Sequence, residues 1–213
     1  MHVAPAGGRH GKEQLVGALP LATDPAVQDA GIDVGYALDE QTLRAPDIAI
    51  GNVPAAPGWV RGAPLLAVEY ADRGTDEEDL QRKIEELLGA GTRAVWVVRL
   101  LGPRRVDVHA AGSAPVTVPA GGLLEAEGIL SRPIPVDALF DRARAREVAL
   151  DNLLRDPSLT AEPHQRGVLE GLREAVRTLA RSFGLAEHPR LAELDASELR
   201  ALLTHLAEHR RWD

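Results

Sequence analysis

The stretch from Leu65 to Val98 constrains this chain most. Leu65-Leu66-Ala67-Val68-Glu69-Tyr70 is an almost unbroken apolar run, the pattern of a central strand covered on both faces. Thr75-Asp76-Glu77-Glu78 follows as a helix start. Thr75 is the expected N-cap, Glu78 lies three residues on, and the acids sit where the helix dipole favours them. Leu80, Ile84, Leu87 and Leu88 recur at helical spacing, Gly89 and Gly91 stop the helix, and Ala94-Val95-Trp96-Val97-Val98 is a second buried strand. Strand, helix and strand at this length predict a right-handed crossover between two parallel strands.

The flanks extend this unit. A short helix is expected from about Arg9 to Leu21. Ile32, Val34, Tyr36 and Leu38 alternate with small or polar residues, which predicts one half-buried strand. Asp47 to Gly51, opened by Pro46, reads as another strand. The Pro- and Gly-rich stretch from Pro54 to Pro64 reads as a loop, and residues 1–8 as a loose terminus. Val106–His109 and Val116–Val118 add short strands. Beyond about Pro135 the chain turns to Ala, Leu, Arg and Glu at helical spacing, over 137–154, 161–183 and 196–210. The expected organisation is a domain over 1–136 and an α-helical appendage over 137–213.

Composition removes several kinds of function. The chain has no cysteine, so thiolate metal sites, disulfide scaffolds and cysteine nucleophiles are excluded. Its net charge of −8 is no basic footprint for a polyanion, so any contact with nucleic acid must be local or made through a cation. No apolar run is long enough to span a membrane, and the N-terminus lacks the pattern of a secretory signal; a cytoplasmic location with no membrane contact is the expectation. Nucleotide-binding Gly loops and His-Glu-x-x-His are absent from the sequence, and Ser131, Ser158, Ser182 and Ser197 sit in no nucleophile elbow. His205 and His209 have metal-ligand spacing but no evident third ligand, so solvent-facing helix residues are expected there.

Three side chains can carry chemistry together. Asp47 opens one strand and Glu69 lies near the end of the next. If those strands are antiparallel, both carboxylates share a corner of the sheet, where they repel unless a cation separates them. Oxygen-rich sites of that type suit Mg²⁺ or Mn²⁺. Lys83 is the third member. At about 100° per residue it lies about 60° from Leu80, at the border of the apolar stripe, where its stem can carry the ammonium along the sheet. Asp76 shares that edge as an alternative partner. Of 24 basic residues only Lys12 and Lys83 are lysines, so an ammonium at 83 stands out in a chain that otherwise uses arginine.

The run Arg44-Ala-Pro-Asp47-Ile-Ala-Ile, then Val68-Glu69-Tyr70, then Asp79-Leu80-Gln-Arg-Lys83-Ile, then Ala90-Gly91-Thr-Arg-Ala-Val-Trp96-Val-Val resembles the Uma-two family of the PD-(D/E)XK nuclease superfamily. The family's spacing from its strand Glu to an Asp ten residues on and a Lys fourteen residues on is met by Glu69, Asp79 and Lys83. The resemblance covers roughly residues 5–140. It implies an α/β fold, a PD-(D/E)XK nuclease-like mixed sheet flanked by helices, here with the α-helical C-terminal appendage. It also implies a divalent-metal-dependent endonuclease acting on DNA. Asp47 and Glu69 would hold Mg²⁺ or Mn²⁺, and Lys83 would assist the attacking water. Ala71 stands where the superfamily usually has its lysine, so Lys83 replaces it. Asp72 is an extra acid after the strand. His10 matches a family His, and Glu13 is placed like the superfamily's first-helix acid. The alternative is a catalytically silent nuclease-fold module that binds nucleic acid or protein through its helical tail, which could also pair two copies as a homodimer.

Overall fold

The computed structural model describes residues 8–72 and 76–212, with backbone alone at Arg9, Ser158 and 160–166. Residues 1–7 and the expected cap Thr75 lie outside the described residues. Helix α1 (Gly8–Ala22) leads into strands β1 (Ala30–Ile32), β2 (Tyr36–Ala37), β3 (Leu43–Arg44), β4 (Ile48–Ile50), β5 (Val60–Arg61) and β6 (Leu66–Ala71). Helix α2 (Glu77–Gly89) then crosses to β7 (Ala94–Arg99), followed by β8 (Arg105–Ala110), β9 (Val116–Pro119), β10 (Leu123–Leu124) and β11 (Ile134–Pro135). A 3₁₀ turn (Val136–Leu139) precedes α3 (Arg142–Arg155), α4 (Pro157–Ser182) and α5 (Ala196–His209).

The main sheet runs in the order β1–β4–β6–β7–β8–β9. The expected crossover is present: β6 and β7 pair in parallel through α2, while the other neighbours are antiparallel. The fold is therefore the mixed α/β sheet flanked by helices that the sequence implied, with helices at the C-terminal end. Alternation sorts β6 cleanly. Leu66, Val68 and Tyr70 face the core under α1, with Trp96 and Val98. Ala67 and Ala71 face α2, with Leu80, Ile84, Leu87, Val95 and Val97. Burying each such aliphatic side chain contributes about 1.5–3 kcal/mol, which is why this strand pair anchors the sheet. Close approach of α1 depends on Gly17: a Cβ there would meet the Tyr70 hydroxyl at 1.8 Å, and that hydroxyl donates to the Leu139 carbonyl at 3.2 Å.

Three elements differ from the sequence expectation. The half-buried strand over 32–38 is broken, because Asp33 adopts a left-handed backbone (φ 53°), so the chain leaves β1 and re-forms as β2 in a separate small sheet. The stretch 54–64 is not all loop: it contributes β5, paired in parallel with β2. Helix α2 is capped by Asp76, whose carboxylate accepts from the backbone N–H of Glu78 and Asp79; it is thus the cap and not the partner of Lys83.

The chain divides into two compact units, 1–155 and 156–213. The division falls later than the composition change near 136 because α3 packs against α1, where buried Asn152 donates to the Pro20 carbonyl at 2.9 Å. The second unit is a helical pair, α4 and α5, closed over Val176, Leu191, Leu199 and Leu206. Asp195 and Glu198 form a reciprocal cap at the start of α5.

Candidate active site

Sheet register brings the acids together. Ile32 pairs with Ile48 and Ile48 with Val68, so one step further sets Asp33 opposite Asp47 and Asp47 opposite Glu69. The Asp33 N–H donates to the Asp47 carbonyl at 3.3 Å, which carries the pairing of β1 and β4 one residue onward. The same row continues through Val97 to Asp107 and Thr117. Glu69 stands on the α2 face between Ala67 and Ala71, whose small side chains leave it room.

Lys83 reaches this corner from α2. Its Nζ donates to Glu69 Oε2 at 2.8 Å and to the Ala45 carbonyl at 2.8 Å. Glu69 Oε1 lies 2.7 Å from the same nitrogen but has no aligned donor, so it is a buried oxygen without a hydrogen bond. Glu69 is only 6% exposed. Its carboxyl is pushed up to about 7, chiefly by burial, with the Lys83 ammonium opposing the rise and the charges of Asp47 and Asp33 adding to it. The Ala45 contact matters because Ala45 lies two residues before Asp47, so a single amine ties the two acid-bearing strands together.

Asp47 is held from the other side by α1. Buried Gln14 donates to Asp47 Oδ1 at 2.8 Å and lies 3.4 Å from Asp33 Oδ1. His10 Nε2 lies 3.1 Å from Asp47 Oδ1. The Tyr70 N–H donates to Asp47 Oδ2 at 2.6 Å. Two carboxylates thus stand opposite each other in the sheet register in different surroundings: Asp47 is held by His10, Gln14 and the Tyr70 N–H, and Glu69 is paired with an ammonium.

The other sequence candidates separate. Asp79 is on the surface side of α2, 3.8 Å from Arg44 Nη2 and 3.4 Å from Arg82 Nη1; Arg44 also pairs with Glu86. Asp72 follows β6 directly. Glu13 is half-buried on α1, near enough to Tyr70 for its charge to be felt there. His205 and His209 stack at 4.4 Å in the second unit, with His205 half-buried where a solvent-facing residue was expected. Gln14 and Asp33 were missed by sequence reasoning, and Arg44 was read only as the start of the family-like run. The only signal for Gln14 was its place one turn beyond His10, which puts both on one helix face.

The donor set suits a hard cation. Asp47 and Glu69 offer carboxylate oxygens, one of them buried without a hydrogen bond. Among the described residues no group of three or more His, Cys, Asp or Glu side chains is arranged around a metal. A cation here would complete its shell with backbone carbonyl and water, as Mg²⁺ commonly does.

The sequence matches no family model and no curated protein. Among solved structures, the fold is similar to that of a protein from Anabaena variabilis ATCC 29413 described as a putative nuclease belonging to DUF820. The TM-score is 0.56 at 16% identity, over 66% of this chain and 84% of that chain. At that identity the likeness establishes the fold: a mixed sheet flanked by helices, shared by the two proteins.

Proposed function

We propose that this chain is a divalent-metal-dependent phosphodiesterase of the PD-(D/E)XK kind, similar to the Uma-two family, and that it cuts DNA. One observation carries the reading: a lysine supplied by a helix meets a buried strand glutamate at 2.8 Å, in the sheet row where a second carboxylate stands opposite. The likeness to a protein described as a nuclease supports it at the level of fold.

The residues divide the work. Asp47 and Glu69 would hold the cation, which when bound would supply acidity to a water and neutralise charge on a phosphate oxygen. His10, Gln14 and the Tyr70 N–H keep Asp47 aimed. Lys83 has three N–H donors. One is used on Glu69 and one on the Ala45 carbonyl, which leaves the third for the attacking water or a phosphate oxygen. Holding that amine in place before substrate arrives avoids reorganisation during the reaction.

A second reading, a silent nuclease-fold module, is favoured by one feature: both Asp47 oxygens already accept hydrogen bonds from the protein. Plasmid cleavage with Mg²⁺ or Mn²⁺ decides between the two. The nuclease reading expects nicking by the wild-type chain and its loss in Glu69→Ala and Lys83→Ala. Equal activity in all three, or none with any metal, overturns it.

A further inference from the structure

The small sheet carries an exposed aromatic residue that the carboxylate corner does not use. Its order is β3–β2–β5, with Ala37 paired to Leu43 on one side and to Arg61 on the other. Tyr36 and Val60 face inward and pack with Ala49 of the main sheet. Alternation therefore turns Trp59, Arg61, Ala37 and Leu43 to the outer face. Trp59 is 55% exposed there. Gly35 lets the indole lie against the backbone, since a Cβ at 35 would stand 2.7 Å from Trp59 Cε3.

Arg61 is exposed beside this ring, and none of the ion pairs among the described residues involves it. Asp39, in the turn between β2 and β3, is folded back onto the N–H groups of Gln41 and Thr42 and the Thr42 hydroxyl. The outer face therefore offers an open indole with an uncompensated guanidinium two residues away. It also adjoins the carboxylate corner. Gly35 lies only two residues beyond Asp33, and Asp33 shares the Gln14 amide with Asp47.

We infer that this face stacks an unpaired base of the substrate while Arg61 neutralises an adjoining phosphate, so that the strand cut at Asp47 and Glu69 is single-stranded. The inference rests on the phosphodiesterase reading for what happens at the corner, but the stacking face itself is separate from it. An indole stacks on any base, because every base has a π-face, whereas a duplex keeps those faces covered. With a net charge of −8, the chain needs local contacts of this kind to hold a polyanion at all.

The test is binding of the full chain to a labelled oligothymidylate, its RNA counterpart and a duplex of equal length, measured by fluorescence anisotropy in EDTA so that nothing is cut. Single strands bind more tightly than duplex. Trp59→Ala lowers single-strand affinity roughly 5- to 150-fold, the range seen for loss of one stacked base. Trp59→Phe recovers most of that loss, and Arg61→Ala flattens the salt dependence by about one phosphate contact. Far-UV circular dichroism and melting establish that each variant is folded, and Arg61→Ala serves should Trp59→Ala fail to fold. Unchanged single-strand affinity in Trp59→Ala and Arg61→Ala, or duplex bound as tightly, overturns the inference. Trp59-dependent binding without cleavage under any metal leaves the stacking face standing and removes the nuclease reading. Glu69-dependent cleavage with binding indifferent to Trp59 does the reverse.

Discussion

Glu69 and Asp107 occupy the same row of one sheet, separated only by Val97, yet their surroundings are opposite. At Asp107, burial pushes the carboxyl up, but hydrogen bonds from Arg99 and Thr117 at 2.7 Å each outweigh it and hold the group below the usual carboxylate range. Arg99 also reaches Glu77 at 2.5 Å, so the charges at that end are shared out among partners. At Glu69 the balance runs the other way. Burial outweighs the Lys83 ammonium, the nearby Asp47 and Asp33 add to it, the carboxyl rises to about 7, and one oxygen lacks a hydrogen bond. On the proposed function, Asp107 is scaffold, matched by its neighbours, and Glu69 is the acid that would take a cation from outside.

The largest expected effect breaks this comparison most directly. Glu69→Ala should cut plasmid nicking by about 100-fold or more, the scale of removing a group that acts in the transition state, while Asp107→Asn leaves nicking near wild type. Metal rescue curves for both variants check this; an equal loss in the two would mean that the row acts only structurally.

Next come the two cations. Lys83→Ala should lower nicking by about 100-fold, whereas Arg99→Ala should retain it and lose only stability, since a partner acid is left unpaired in a partly buried place. Urea unfolding alongside the nicking assay separates the two outcomes.

The pH dependence of stability sharpens the contrast. The folded-state pKa of Glu69 is raised from 4.5 to about 7. Its contribution is therefore fully present below its unfolded value and is lost as pH rises toward 7, by an amount on the order of a few kcal/mol. Asp107 is depressed, so its contribution is present above the usual carboxylate value and is lost as pH falls through the folded one. Melting in EDTA should show stability falling between about pH 4.5 and 7 in the wild type. That fall should vanish in the Glu69→Gln/Lys83→Met double variant, which removes the buried pair together. Asp107→Asn should instead soften only the acid limb.

The smallest effect belongs to Asp79. It matches the family spacing, yet it is half-exposed and paired with arginines at 3.4–3.8 Å. Asp79→Asn should change stability by less than about 1 kcal/mol and nicking by little, as checked by melting and by initial rates.

Much of this was legible in sequence. The crossover was, because the apolar run, the stripe and the stopping glycines of 65–98 are local patterns. The Lys83 position was, because a helical wheel places a residue at the edge of a stripe without knowing what lies beneath. The boundary after Arg155 was not, since α3 has the composition of the helices after it and belongs with α1 only through packing. Gln14 and Asp33 were not, because nothing local marks a glutamine as the holder of a carboxylate 33 positions on. Trp59 was hidden in a Pro- and Gly-rich stretch, where a two-residue strand leaves no periodic trace.

By itself the sequence determined which segments become strand or helix and which faces are apolar, because those depend on spacing within a few residues. Only the tertiary structure decided that Asp47 stands opposite Glu69, that Lys83 joins Glu69 to the Ala45 carbonyl, and that the left-handed turn at Asp33 detaches a small sheet with Trp59 on its outer face. Strand register and helix docking are set by burial over the whole core. A shift of one residue in either would have turned the same side chains to opposite faces of the sheet.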